Sequence, residues 1–223
     1  MPGFEDEALR RAVIETAVAM NHRGINVNKS GNVSARIPGC GAFLITPTGI
    51  PYEALEPGDI VEADLETGAF TGRRLPSSEW EMHAEIYRRR PDAQAVVHTH
   101  SCFATALACQ NMPIPAFHYM VAAAGGRSID VAPYATFGTH ELALAGAEAL
   151  KEKNACLLEH HGVLALGGSL SKALTLAAEV ENLAHQYVVA RSLGSPRIIP
   201  DEEMDRVVEK FKTYGLQPKE ENK

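Results

Sequence analysis

Apolar residues at Leu9, Val13, Ala17 and Met20 recur at helical spacing near the start of the chain and predict an amphipathic helix from about Glu5 to Arg23. After it the period shortens. NVSARI, FLIT, DIVEAD and GAF are brief apolar or alternating runs separated by turns containing glycine and proline, and they read as strands. A second helix starts at PSSEW and runs to Arg90, where Pro91 stops it. AQAVVHTH is an apolar run of strand length, SCFATALA a short helix, and SIDVAPY another strand. GTHELALAGAEALKEK predicts a helix, and ACLLEHHGVLAL a strand pair or a strand with a turn. SLSKALTLAAEVENLAHQYVVARSL is a long helix, and DEEMDRVVEKFKTYGL a short helix with a tail. Strands and helices mix without strict alternation, and no GxGxxG follows a strand. The pattern predicts an α/β or α+β chain with one layer of sheet between helices.

At 223 residues, with no Pro/Gly/Ser-rich linker, the chain reads as a single domain over 1–223 with a sizeable core. A net charge of −7 argues against a general nucleic-acid binder, but leaves an anionic small molecule open, since a local site can be positive in an acidic protein. There is no apolar run of about 18 residues or more, so no membrane span is expected. The acidic, then amphipathic start lacks the plan of a secretory signal, and a cytoplasmic location is expected. The cysteines Cys40, Cys102, Cys109 and Cys156 form no CxxC pair, which agrees with a reducing compartment. The seven-residue spacing of Cys102 and Cys109 suits one face of a buried helix.

Candidate chemistry begins in AVVHTH. Residues two apart on a strand share a face, so His98 and His100 project together as a chelating pair. LLEHHG offers a third imidazole after another apolar strand; His160 and His161 face opposite ways, and spacing does not choose between them. A carboxylate is available from Glu79, at the start of the helix that precedes the HTH strand. His83, four residues on and on the same helical face, reads as packed rather than ligating. His22, His118, His140 and His185 have no chelating partner in sequence. PSSEW also carries a signal for anions. Ser78 and Glu81 fit an S-x-x-E capping box, while a helix start with two hydroxyls attracts negative charge. SGNVS and TPTG are further glycine-containing turns with hydroxyl and amide side chains, and together the three stretches suggest a phosphate held near a metal.

In order along the chain, SGNVS, ITPTGIPY, LPSSEW, AVVHTH, IPAFHYMVAAAGG, APYATFGT, HHG and KFKTYGL resemble the class II (zinc-dependent) aldolase/adducin family, in its sugar-phosphate aldolase branch. The similarity covers nearly the whole chain. It implies a three-layer αβα fold with a mostly antiparallel central sheet sandwiched by helices, assembled as a fourfold-symmetric homotetramer with active sites at subunit interfaces. It implies one Zn2+ per subunit on Glu79, His98, His100 and His161, which chooses His161 over His160. The phosphate pocket maps to Asn32, Thr48, Gly49, Ser77 and Ser78. Tyr119 would reach a neighbouring subunit's zinc site, and Tyr214, on a tail from about residue 200, would close over the substrate, with Phe137 shaping the aldehyde side.

The activity implied is reversible cleavage of a ketose 1-phosphate, of the L-fuculose 1-phosphate type, to dihydroxyacetone phosphate and an aldehyde such as L-lactaldehyde. In that chemistry zinc is the Lewis acid, Glu79 both closes the coordination sphere and moves a proton, and Tyr119 exchanges a proton with the oxygen that becomes the aldehyde. Alternatives within the superfamily are 5-deoxyribulose 1-phosphate or 5-methylthioribulose 1-phosphate as substrate, then epimerase or dehydratase activity. An adducin-type scaffold role fits poorly with an intact ligand set. One departure from the family pattern stands out: Lys29 occupies a position that often holds a small hydroxyl residue. It reads either as added charge in the phosphate pocket or as a solvated loop residue.

Overall fold

The computed structural model describes residues 4–214. Helix α1 (Phe4–His22) leads into strands β1 (Asn32–Arg36), β2 (Ala42–Ile45), β3 (Val61–Asp64) and β4 (Phe70–Thr71). Helix α2 (Trp80–Arg89), strand β5 (Ala95–Thr99) and helix α3 (Cys102–Ala108) follow. A 3-10 turn (Tyr119–Ala124) precedes β6 (Val131–Ala132), α4 (His140–Ala149), β7 (Ala155–Leu158), β8 (Gly162–Gly167), α5 (Leu170–Ser192) and α6 (Asp201–Phe211).

The eight strands form one sheet in the order β4-β3-β2-β1-β5-β8-β7-β6, antiparallel throughout except for the β6–β7 pair. Side chains alternate across each strand and divide the core into two layers. Ala95 and Val97 of β5, with Val163 and Ala165 of β8, face α1, α3 and α5. Val96, Leu164 and Leu166 face α2 and α4. This is the sheet between helices that the pattern predicted. Because both faces of β5 are covered, its five residues are all buried, and the run AVVHT shows no polar alternation.

Two expectations are corrected here. Cys102 and Cys109 do lie on one side of α3, but both are exposed, because Ala104, Leu107 and Ala108 occupy the side packed on the core. The Ser78–Glu81 capping box does not form. Glu79 takes the N-cap position of α2, and Glu81 turns instead to His140, whose Nδ1 lies 2.6 Å from its Oε1. The first turn of α3 is capped from a distance: Glu181 on α5 accepts from the backbone N–H groups of Phe103 and Ala104, both at 2.9 Å. No helix among the described residues is long and apolar enough to cross a membrane.

Candidate metal centre

β5 ends where α2 begins, on the face of the sheet that α2 covers, and this junction gathers the candidate ligands. His98 is the fourth residue of β5, and its alternation with Val97 directs it toward α2. His100 lies just past the strand, its ring centroid 4.8 Å from that of His98. Glu79, buried at the N-cap of α2, reaches both His98 (Oε2–Nε2 3.2 Å) and His161 (Oε1–Nε2 3.0 Å). The β7–β8 turn delivers the last ring. His160 takes a left-handed backbone (φ 54°) and packs edge-on to Tyr134, which leaves His161 to turn inward. The structure thus brings together Glu79, His98, His100 and His161, with one ligand-type atom from each lying within 4.8 Å of all the others.

Two glycines make the junction this tight. A side chain at Gly31 would meet the His98 carbonyl oxygen at 2.4 Å, and one at Gly162 would meet the Thr99 carbonyl oxygen at 2.3 Å. The glycines of SGN and HHG therefore let β1 and β8 close on the end of β5.

The donor set fits a divalent cation. The three imidazoles stand edge to face with centroids 4.8–5.0 Å apart, like blades around a common point. His98 Nδ1 lies 2.9 Å from the Val163 carbonyl oxygen, so it carries the proton and leaves the Nε2 lone pair facing the cluster. His98 Nε2 and His100 Nε2 are 2.9 Å apart, a contact that two lone pairs tolerate only with a proton or a cation beside them. Glu79 Oε1 is buried without a hydrogen bond aligned on it. Burial opposes charge on Glu79, but the facing His98 and His161 outweigh it and hold its carboxyl well below the usual range. His98 is likewise penalised by burial, yet Glu79 raises its pKa. Burial, followed by repulsion from His98 and His161, pushes His100 down to about 3 and keeps its ring a neutral donor. Three imidazole nitrogens and a carboxylate suit a divalent transition metal.

The profile of the class II aldolase and adducin N-terminal domain family matches residues 11–188. The chain is a member of that family. The class II aldolase of Rhodospirillum rubrum named 5-methylthioribulose-1-phosphate/5-deoxyribulose-1-phosphate aldolase is 51% identical over 215 residues, 96% of each chain. The L-fuculose phosphate aldolase of Escherichia coli K12 is 50% identical over 218 residues, 97% of this chain and 100% of its own. A solved structure of an L-fuculose 1-phosphate aldolase superposes with a TM-score of 0.90 at 39% identity, covering 95% of this chain and 98% of that one. The protein is a class II aldolase, an enzyme of a metal-dependent family.

Around the cluster of this aldolase lie the residues the sequence marked for phosphate. Segments 46–49 and 75–78 run side by side: Ser77 N–H donates to the Thr46 carbonyl at 3.0 Å and Thr48 N–H to that of Leu75 at 3.2 Å. Ser77 is buried, while Thr48, Gly49 and Ser78 open to solvent. Asn32 pairs in register with His98, and its amide donates to Glu79 Oε2 at 2.8 Å. Lys29 Nζ donates to the Gly49 carbonyl at 2.7 Å, which sets a positive charge on the rim of this pocket. The loop before α4 packs on Ser78, whose carbonyl oxygen would lie 3.0 Å from a side chain at Gly138; this places the exposed Phe137 nearby.

Tyr119 and Tyr214 lie elsewhere in the chain. Met120, Phe211 and Tyr214 line a cavity of about 620 Å³ together with Gly167 and Asp92. Gly167 ends β8, whereas His161 precedes its start, so the cavity sits about 20 Å from the cluster at the strand rise of ~3.3 Å per residue. The 3-10 turn that starts at Tyr119 packs on α5 and α6, across the sheet from the face that α2 covers, and its last residue is tied near the cavity, where Asn154 N–H donates to the Ala124 carbonyl at 2.7 Å. The expected closure of the tail over an active site falls largely on residues 215–223. As far as Tyr214 the tail is held at the opposite end of the sheet by α6, and residues 215–223 of the expected tail lie outside the described residues.

What sequence reading missed is the second layer. Ser34 and Tyr87 join His83 behind Asn32, and the signal was present: Glu79, His83 and Tyr87 fall at i, i+4 and i+8 on α2, opposite Asn32 and Ser34 at i and i+2 on β1.

Proposed function

We propose that this aldolase reversibly cleaves a ketose 1-phosphate of the L-fuculose 1-phosphate type between C3 and C4, giving dihydroxyacetone phosphate and a short aldehyde such as L-lactaldehyde. The observation that carries the reading is the position of the Glu79–His98–His100–His161 cluster beside the paired 46–49 and 75–78 segments. Such a layout suits a substrate with a phosphate at one end and adjacent oxygens a few atoms away.

Glu79, His98, His100 and His161 would hold one zinc ion per subunit, and a bound cation supplies Lewis acidity toward the charge that cleavage leaves on the ketose oxygens. Asn32, Thr48, Gly49, Ser77 and Ser78 bind the phosphate through amide, hydroxyl and backbone donors, which fixes the scissile bond relative to Glu79. Lys29 adds charge while anchoring the Gly49 loop. Cleavage takes one proton from the C4 hydroxyl and delivers one to C3. Glu79, at the cluster, serves C3, and Tyr119 serves the C4 oxygen. Phe137 lines the aldehyde side and excludes water.

Tyr119 is 47% exposed and its turn packs on α5 and α6, across the sheet from the face that α2 covers, so in this reading it acts on a neighbouring subunit's site. A homotetramer with active sites at its interfaces supplies that neighbour, and Tyr214, 66% exposed, would shape the same composite site. Cys40, Cys102, Cys109 and Cys156 are all free thiols, which supports a cytoplasmic location.

Near-equal identity to relatives named for different ketose phosphates keeps 5-deoxyribulose 1-phosphate and 5-methylthioribulose 1-phosphate as the second reading. The test is a cleavage assay on metal-analysed protein. L-fuculose 1-phosphate, ribulose 1-phosphate and the two 5-substituted pentuloses are offered side by side, with dihydroxyacetone phosphate as the readout. Chelator-sensitive release, fastest from L-fuculose 1-phosphate, is the expected result. A preference for 5-methylthioribulose 1-phosphate selects the second reading, and no release from any of them, despite one zinc per chain, rejects both.

A further inference from the structure

Behind the metal cluster runs a buried chain of hydrogen bonds that the reaction as described does not use. Asn32 Nδ2 lies 2.8 Å from Glu79 Oε2, and Asn32 Oδ1 lies 2.5 Å from His83 Nε2. His83 Nδ1 lies 2.6 Å from Ser34 Oγ, which lies 2.7 Å from Tyr87 Oη. Ser34, His83 and Tyr87 are closed off from solvent, and Asn32 is 3% exposed. The two elements are commensurate. Four residues of helix advance ~6.0 Å and two residues of strand ~6.6 Å, so Glu79, His83 and Tyr87 on α2 can interleave with Asn32 and Ser34 on β1.

One anion sets the direction of every bond in this chain. The Glu79 carboxylate only accepts, so Asn32 must present its amide N–H to it and its carbonyl to His83. His83 must then donate from Nε2, which leaves Nδ1 to accept the Ser34 hydroxyl proton, while Ser34 Oγ accepts from Tyr87. Burial pushes the pKa of His83 down to about 3, with the nearby His98 acting in the same sense, so the ring is neutral and has a single proton to place. The reverse tautomer would turn the Asn32 carbonyl toward Glu79.

We propose that His83 is a positioning residue: by holding the Asn32 carbonyl it aims both amide hydrogens of Asn32 outward, one at Glu79 and the other at the substrate phosphate. This rests on the phosphate lying beside Asn32, as in the proposed function. A flipped amide would present its oxygen to two anions at once. The ring nitrogens of His83 bond to Ser34 and Asn32 and to none of the metal ligands, so it acts through Asn32.

The experiment has a spectroscopic arm and a binding arm, both on the full-length metal-loaded enzyme. In 15N NMR of histidine-labelled protein, with the His83 signal assigned by its loss in His83→Gln, the expected state at neutral pH is Nε2 protonated and Nδ1 bare. An Nδ1–H ring or an imidazolium overturns the proposal. In the second arm inorganic phosphate is titrated as a competitive inhibitor. His83→Leu is expected to weaken phosphate about tenfold, the loss of one well-aimed hydrogen bond to a charged group, and to raise KM in parallel. His83→Gln, which can still donate to Asn32, is expected to recover to within about threefold. A packing role alone would lower the melting temperature and leave the phosphate constant unchanged in the folded fraction. Wild-type phosphate affinity in folded His83→Leu overturns this proposal alone. Failure of phosphate to bind the wild-type enzyme overturns the phosphate reading and this proposal with it. Should the leucine variant not fold, the spectroscopic arm on the wild-type enzyme carries the test: an Nε2–H ring is expected, and an Nδ1–H ring or an imidazolium overturns the proposal.

Discussion

Replacing His98 by alanine is expected to remove bound metal and aldol cleavage together. His98 is fully buried, its ring is fixed by the Val163 carbonyl, and its free nitrogen faces His100 and Glu79. Loss of a ligand so firmly oriented should weaken metal binding by roughly 100-fold or more. Turnover should fall by about a thousandfold or more, because Lewis-acid stabilisation of the developing charge is worth several kcal/mol. Metal analysis and the cleavage assay on the same preparation check it, with His100→Ala, at a less buried position, as the companion. His160→Asn is the control. That residue adopts a left-handed backbone that asparagine tolerates, and it points away from the cluster, so metal and activity should both persist. Full activity with metal retained in His98→Ala would remove this residue from the centre.

Tyr119→Phe is expected to cut turnover by about 10²–10⁴-fold, the usual worth of a positioned proton donor, while metal content and assembly stay as in the wild type. The phenol is half exposed and its turn packs against α5 and α6, so losing one hydroxyl should cost the fold little. The decisive readouts are turnover, metal per chain and the mass of the assembly in solution. An unchanged rate would exclude Tyr119 from proton transfer.

The layered fold was legible because its signals are periodic. Helical spacing marked α1, α2 and α5, and the apolar run at residues 95–97 leading into His98 marked a strand covered on both sides. The shortest strands, β4 and β6, span two residues each and carry almost no periodic signal; the expected SIDVAPY strand shrinks to Val131–Ala132. Local rules failed where a distant partner competed. Ser78 and Glu81 match a capping box, but Glu81 finds His140 and Glu79 is held at the cluster. Cys102 and Cys109 share a face as their spacing implied, yet spacing does not tell which face meets the core.

At the site, the choice between adjacent histidines could not be made from strand alternation, since His160 and His161 sit in a turn where that rule lapses. The hydroxyl and amide turns were visible, but their convergence depends on bridges between segments about thirty residues apart in sequence, such as Pro47 with Pro76. Ser34 and Tyr87 went unseen because each is an ordinary buried polar residue until β1 is laid against α2.

The separation of the histidine cluster from Tyr119, on opposite faces of one sheet, has a genetic consequence. In an assembly where each site takes its cluster from one chain and its phenol from the next, two inactive alleles can complement. Chains carrying only His98→Ala still offer Tyr119, and chains carrying only Tyr119→Phe still offer an intact cluster. Mixed at random in equal amounts, roughly a quarter of the composite sites draw both halves from unmutated surfaces. Cells expressing the two dead genes together should regain a fraction of the activity that neither supports alone.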